Sequence, residues 1–168
     1  MLIRQHTSED ASSICDVIND AAIAYRGVIA SDRWKEPYMP LAELQQEIKA
    51  GVQFWGAHES DTLIAVMGLQ HVADVSLIRH AYTRTSSQGK GIGKALLKHV
   101  MANTERPLLL GTWAAATWAI RFYQSQGFRV LGEEKNDLLR RYWTIPERQI
   151  DESVVLANER WPQLTPSQ

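Results

Sequence analysis

The segment Gln88-Gly89-Lys90-Gly91-Ile92-Gly93-Lys94 constrains this chain more than any other, because it concentrates glycine between a strand-like run and an amphipathic helical run. Closely spaced glycines let a backbone turn sharply and approach a ligand. The first N–H groups of the following helix have no acceptor within it, so they can hold an anion. Upstream, Val75 to Thr83 reads as a strand; downstream, Ile92, Leu96, Leu97 and Val100 recur at helical spacing. Strand, glycine turn and helix in this order suit a phosphate cradle, although a turn serving only chain reversal would look the same. Two familiar cradles fail on spacing. A Walker A loop needs glycine at 88 and Ser or Thr after Gly93-Lys94, where this chain has Gln88 and Ala95. A dinucleotide fingerprint needs a small residue at 94 and an opening βαβ unit, and here Lys94 follows what reads as an antiparallel meander.

The remaining periodicities place this turn in a mixed α/β fold. Residues 2–6 suit a short strand, and Thr7-Ser8-Glu9-Asp10 offers a capping oxygen followed by acids. Ile14, Val17, Ile18, Ala21, Ala22 and Tyr25 then form one apolar helical face that lasts until Gly27, with Cys15 as a packing residue beside it. Residues 28–40 read as an irregular connection, and Leu41 to Ala50 as a second helix stopped by Gly51. Val52 to His58 and Leu63 to Leu69 suit a hairpin that Val75 to Thr83 extends. The crossover through the glycine turn and its helix to the buried strand Leu108 to Thr112 implies one parallel pair. A helix over Thr117 to Gln126 stopped by Gly127, a strand from Phe128, a polar helical stretch near Asp137 and a strand at Val154 to Ala157 complete the pattern. Arg140-Arg141 with Lys135 reads as a solvated helix face.

Length and composition narrow the function. At 168 residues, with no repeat and no Pro/Gly/Ser-rich linker, the expectation is a single domain over 1–161 and a frayed tail over 162–168. A net charge of -1 argues against an electrostatic grip on nucleic acid or an anionic membrane. Met1-Leu2-Ile3-Arg4-Gln5-His6 turns polar at once, which does not suit a signal peptide, and the run from Leu108 to Ile120 is too short to span a bilayer. The lone Cys15 closes no disulfide and excludes a structural zinc site built from cysteines, so the expected location is the reducing cytoplasm. Oligomeric state stays open, a homodimer among the arrangements.

Two motifs together carry a resemblance. Gln88, Gly91 and Gly93 match the pattern Gln/Arg-x-x-Gly-x-Gly/Ala at a strand end. Ala119-Ile120-Arg121-Phe122-Tyr123-Gln124-Ser125-Gln126-Gly127-Phe128 then supplies a helix with Phe-Tyr followed by Gly-Phe. With both motifs in order over residues 75–130, the sequence resembles the GNAT superfamily of acyl-CoA-dependent N-acetyltransferases. The resemblance implies a mixed α/β fold whose largely antiparallel sheet contains one parallel, splayed strand pair and is flanked by helices. It implies acetyl-CoA as co-substrate, with Gln88, Gly89, Lys90, Gly91, Ile92, Gly93 and Lys94 at the pyrophosphate. Pantetheine would pair along the strand end at Ala81, Tyr82 and Thr83, and an amide near Ala81 would face the tetrahedral oxyanion. Tyr123 matches the tyrosine that protonates the departing thiolate; the plainer reading is an aromatic core residue beside Trp118 and Phe122.

Departures from the pattern matter as much. Many relatives carry a glutamate at the end of the strand that is Leu108 to Thr112 here, and an asparagine before the next helix; this chain has Gly111 and Ala116. An ammonium acceptor must lose a proton before it attacks, so another base is needed. Imidazole suits neutral pH, and His80 lies on the strand expected to flank the acetyl group; His71 is its rival. Tyr25, Trp34 and Tyr38, with Met39, fall where the acceptor pocket is expected, and indole and phenol faces attract cations. The leading expectation is acetyl transfer to the primary amine of a small molecule by direct attack in a ternary complex, without a metal. The alternatives are a non-catalytic acyl-CoA-binding module and transfer to a protein N-terminus or lysine.

Overall fold

The computed structural model describes residues 1–162, so the expected tail over 162–168 lies almost wholly outside the described residues. The chain runs through β1 (Leu2–Gln5), α1 (Ala11–Ala22), α2 (Leu41–Lys49), β2 (Gln53–Glu59), β3 (Thr62–Val72), β4 (Val75–Thr83) and α3 (Ile92–Met101). It continues through β5 (Leu108–Trp113), α4 (Thr117–Ser125), β6 (Arg129–Val130), α5 (Lys135–Tyr142), α6 (Glu147–Asp151) and β7 (Ser153–Ala157). The sheet follows the order β1-β2-β3-β4-β5-β7-β6 and is antiparallel apart from β4 and β5, the mixed architecture that the periodicities imply. No helix of the described residues is long and apolar enough to cross a membrane. The chain divides into two compact units, one formed by Met1–His71 with Ile78–Glu105, the other by Val72–Leu77 with the chain from Arg106 onward.

In the first unit, α1 forms where the apolar periodicity requires it. Its entry is fixed by Asp10, whose carboxylate accepts from the Thr7 N–H at 2.9 Å, one half of a capping box. The stripe Ile14, Val17 and Ile18 is fully buried and packs with Leu44 of α2 and with Val52, Phe54 and Val66. Burial of each such side chain stabilises the fold by about 1.5–3 kcal/mol. Cys15 is buried, as its neighbours on α1 imply. Asn19 clamps the irregular connection, accepting from the Met39 N–H at 2.7 Å and donating to the Met39 carbonyl at 3.0 Å. α3 buries Ile92, Leu96, Leu97 and Val100, the stripe read from the sequence.

In the second unit, β5 pairs with β7 from Leu109↔Ala157 to Trp113↔Ser153, and β7 also pairs with the two-residue β6. Leu109, Leu138, Leu139, Tyr142, Ile150 and Val155 form its core. Three features differ from the sequence expectation, two of them in this unit. The short helix α6 escapes a periodicity argument because one turn and a half carries no stripe. Lys135 is not a solvated cation: its ammonium donates to the carbonyls of Ile150 in α6 at 2.8 Å and of Ser153, the first residue of β7, at 2.7 Å. β3 runs past the expected Leu69 to Val72 because Ala73, with φ of 50°, closes the turn into β4 immediately afterwards.

Candidate active site

The first unit carries the glycine turn. Gly91 is the N-cap of α3 in the left-handed conformation, φ 77°, and Gly89 has φ 78°. An added Cβ at either would meet no atom within 4 Å, so both glycines face open space and are required by backbone conformation and approach. Gln88 to Gly91 and Lys94 are exposed, whereas the Ile92 side chain is core; the N–H groups of the first turn of α3 have no acceptor within the helix. Gln88 braces the turn by donating to the Thr83 carbonyl at 3.1 Å. Two residues that the sequence did not single out anchor it. Arg84 donates from its backbone to the Ile64 carbonyl and from Nε to the Leu63 carbonyl, both at 2.8 Å. Asp20 of α1 accepts from the Thr85 N–H at 2.8 Å. A rigid turn with open glycines, helix-start amides and the cations of Lys90 and Lys94 fits a pyrophosphate.

The strand leading to this turn, Ala81-Tyr82-Thr83, follows an irregularity at His80, whose φ is 52° inside β4. Successive strand side chains point to opposite faces. Here Arg79 and His80 both reach one carboxylate, that of Glu47 on α2: the guanidinium meets Oε1, and His80 Nε2 lies 2.8 Å from Oε2. A left-handed residue, as in a β-bulge, accounts for this convergence. Burial alone would raise the Glu47 pKa, but the His80 hydrogen bond and the charges around it hold it below the usual value, so it is a carboxylate at neutral pH. The Phe54 ring stacks beside the imidazole at 6.1 Å between centroids. His71 is exposed on β3.

The three aromatic residues expected at the acceptor pocket do come together, joined by Tyr82. Tyr25 and Tyr38 rings are 5.5 Å apart, Trp34 stacks on Tyr38 at 5.8 Å, and Tyr82 meets the edge of Tyr25 at 6.2 Å. Burial, with the hydroxyls of Tyr25 and Tyr38 beside it, pushes the Tyr82 phenol well above its ordinary pKa, so it stays a neutral hydrogen-bonding group. Glu36 accepts from the Trp34 indole N–H at 3.2 Å.

Tyr123 belongs to the second unit, on α4, and is buried. The second sequence motif has a direct physical explanation there. Gly127, φ 91°, ends α4; its N–H donates to the Gln124 carbonyl at 3.1 Å, and the Phe128 N–H donates to the Tyr123 carbonyl at 3.0 Å. This is a Schellman cap, whose usual hydrophobic contact is the Tyr123–Phe128 ring pair at 5.5 Å. Phe122 closes the other side at 5.0 Å. The Phe-Tyr and Gly-Phe pairs thus hold the Tyr123 ring in one place. At Gly111 an added Cβ would make ordinary contacts with Trp143 and Leu139, so packing does not demand the missing side chain.

Comparison with known proteins bears on the fold and the family. No curated protein matches the sequence at a significant level. The paiA N-acetyltransferase of Thermoplasma acidophilum, solved in complex with coenzyme A, is 21% identical with a TM-score of 0.69, covering 94% of this chain and 99% of that one. An acetyltransferase of the GNAT family from Staphylococcus aureus MU50 is 19% identical with a TM-score of 0.70, covering 95% and 98%. A ribosomal-protein-alanine N-acetyltransferase from Brucella melitensis is 19% identical with a TM-score of 0.65, covering 94% and 98%. These likenesses establish the fold. The model of the acetyltransferase (GNAT) domain matches residues 14–138, a span that contains the glycine turn, the His80 bulge and the capped Tyr123 helix. This chain therefore belongs to the GNAT acetyltransferase family.

Proposed function

We propose that the protein transfers an acetyl group from acetyl-CoA to the primary amine of a small molecule, in the cytoplasm. The observation that carries this reading is the β4–turn–α3 geometry, in which left-handed Gly91 caps α3 and leaves its first amides for the pyrophosphate. His80 takes a proton from the ammonium acceptor. The amine then attacks the thioester carbon, an amide near Ala81 faces the oxyanion, and the C–S bond breaks as the amide forms. Tyr123, assigned from its motif, gives the leaving thiolate its proton. The products are the N-acetyl amine, the CoA thiol and a released proton. The clustered Tyr25, Trp34, Tyr38 and Tyr82 support a small, cationic acceptor, since they close the 28–40 connection with aromatic faces.

The test is a panel of small amines and of peptides with acetyl-CoA, following thiol release and N-acetyl product together. The expected result is equal amounts of both with at least one small amine. CoA binding without product on any acceptor would establish a non-catalytic module, and product only on peptides would overturn the small-molecule assignment. His80→Gln should remove most of the rate while leaving CoA affinity unchanged.

A further inference from the structure

We propose that Glu47 is the positioning residue for His80, holding the imidazole by Nε2 so that Nδ1 is the nitrogen that accepts the acceptor's proton; this rests on the reading of His80 as the base. The argument is one of donors and acceptors. The Arg79 guanidinium has only donors, and it occupies one oxygen of Glu47 while its Nη1 donates to Gln70 Oε1 at 2.9 Å. Glu47 is ionised and can only accept. The nitrogen 2.8 Å from its other oxygen must therefore bear hydrogen, and in the neutral imidazole the lone pair is then on Nδ1.

The backbone supports the same assignment. A regular β4 would send Arg79 and His80 to opposite faces, and the left-handed φ of His80 is adopted rarely by residues other than glycine. This unusual conformation brings the ring to Glu47. The clamp is partly buried: Glu47 and His80 side chains are 19% and 16% exposed. The other charges acting on it are Arg79 on β4 and Lys35, which is itself paired with Glu43 at 2.9 Å. When the imidazole becomes imidazolium on accepting a proton, the carboxylate compensates its charge, a second service from the same contact.

The direct test is 15N NMR of the imidazole in the full chain, followed upward in pH until the ring is neutral. The expected result is a proton-bearing Nε2 and a pyridine-type Nδ1 at His80; the opposite tautomer would overturn the proposal, and this measurement needs no variant. Glu47→Gln, whose amide can present a donor to Nε2, should lower kcat by about 10²-fold. It should leave CoA affinity unchanged, and Glu47→Asp should recover part of the rate. Loss of CoA affinity in step with kcat would make Glu47 scaffold and refute positioning. If His80→Gln is inactive while Glu47→Gln is fully active, the base stands and Glu47 has no role; if His80→Gln is fully active, both assignments fall.

Discussion

Acidifying the solution acts on His6 before it reaches the carboxylates. Its ring is 1% exposed, lies stacked on His58 at 5.0 Å between centroids, and has neither nitrogen well aligned to a hydrogen-bond partner. Burial, aided by the charges of Arg4 and His58 and opposed by Asp10, lowers its pKa from 6.5 to about 4. The unfolded chain therefore binds a proton at His6 near pH 6.5, and the folded chain does not until about pH 4. Protons favour the unfolded state across that window, so stability falls as pH falls through it and returns as pH rises. The shift corresponds to a loss of about 2 kcal/mol between about pH 7 and about pH 5, and about 3 kcal/mol once the folded pKa is passed. Asp10 and Glu47, both held below their ordinary values, lose their contributions only at lower pH, below the carboxylate range. Urea unfolding of the parent and of His6→Leu at both pH values isolates the contribution, because the groups away from His6 titrate alike in both chains. The parent should lose about 2 kcal/mol more than the variant over this interval. Equal losses would show that His6 titrates alike in both states and refute the argument.

Two further outcomes follow from packing and from chemistry. Gly56→Ala would place a Cβ against the His6 ring and Leu63, so urea unfolding should show a loss of about 1–3 kcal/mol. Tyr123→Phe keeps the Phe122 and Phe128 contacts and removes only the hydroxyl, so steady-state kinetics should show kcat down by about 10²–10⁴-fold with CoA affinity unchanged. Activity within a factor of about two would return Tyr123 to a packing role.

What the sequence revealed and what it hid divide along physical lines. The α1 stripe and the helix after the glycine turn were legible because each repeats at the helical period, and β4 because an apolar run leads into the glycine turn. The glycine turn was legible because left-handed backbone demands glycine. Glu47 was not, since it lies 33 residues from His80 and meets it only through a bulge that no alternation pattern announces. Lys135 looked like surface charge because its acceptors are backbone carbonyls distant in sequence. Asp20 was hidden likewise: its role depends on the Thr85 amide, 65 residues away, and backbone donors leave no mark on composition.

CoA-dependent transfer requires the 88–93 turn to hold the pyrophosphate through its backbone amides. Backbone amide NMR during a CoA titration of the full chain, repeated on Gly91→Val, measures this. The expected result is saturable binding with the largest shifts at Gly89, Gly91, Ile92 and Gly93. The variant should lose that binding, because Val at φ 77° strains the cap and fills the open approach. CoA binding that leaves those amides unmoved, or equal affinity in a folded Gly91→Val, would contradict it.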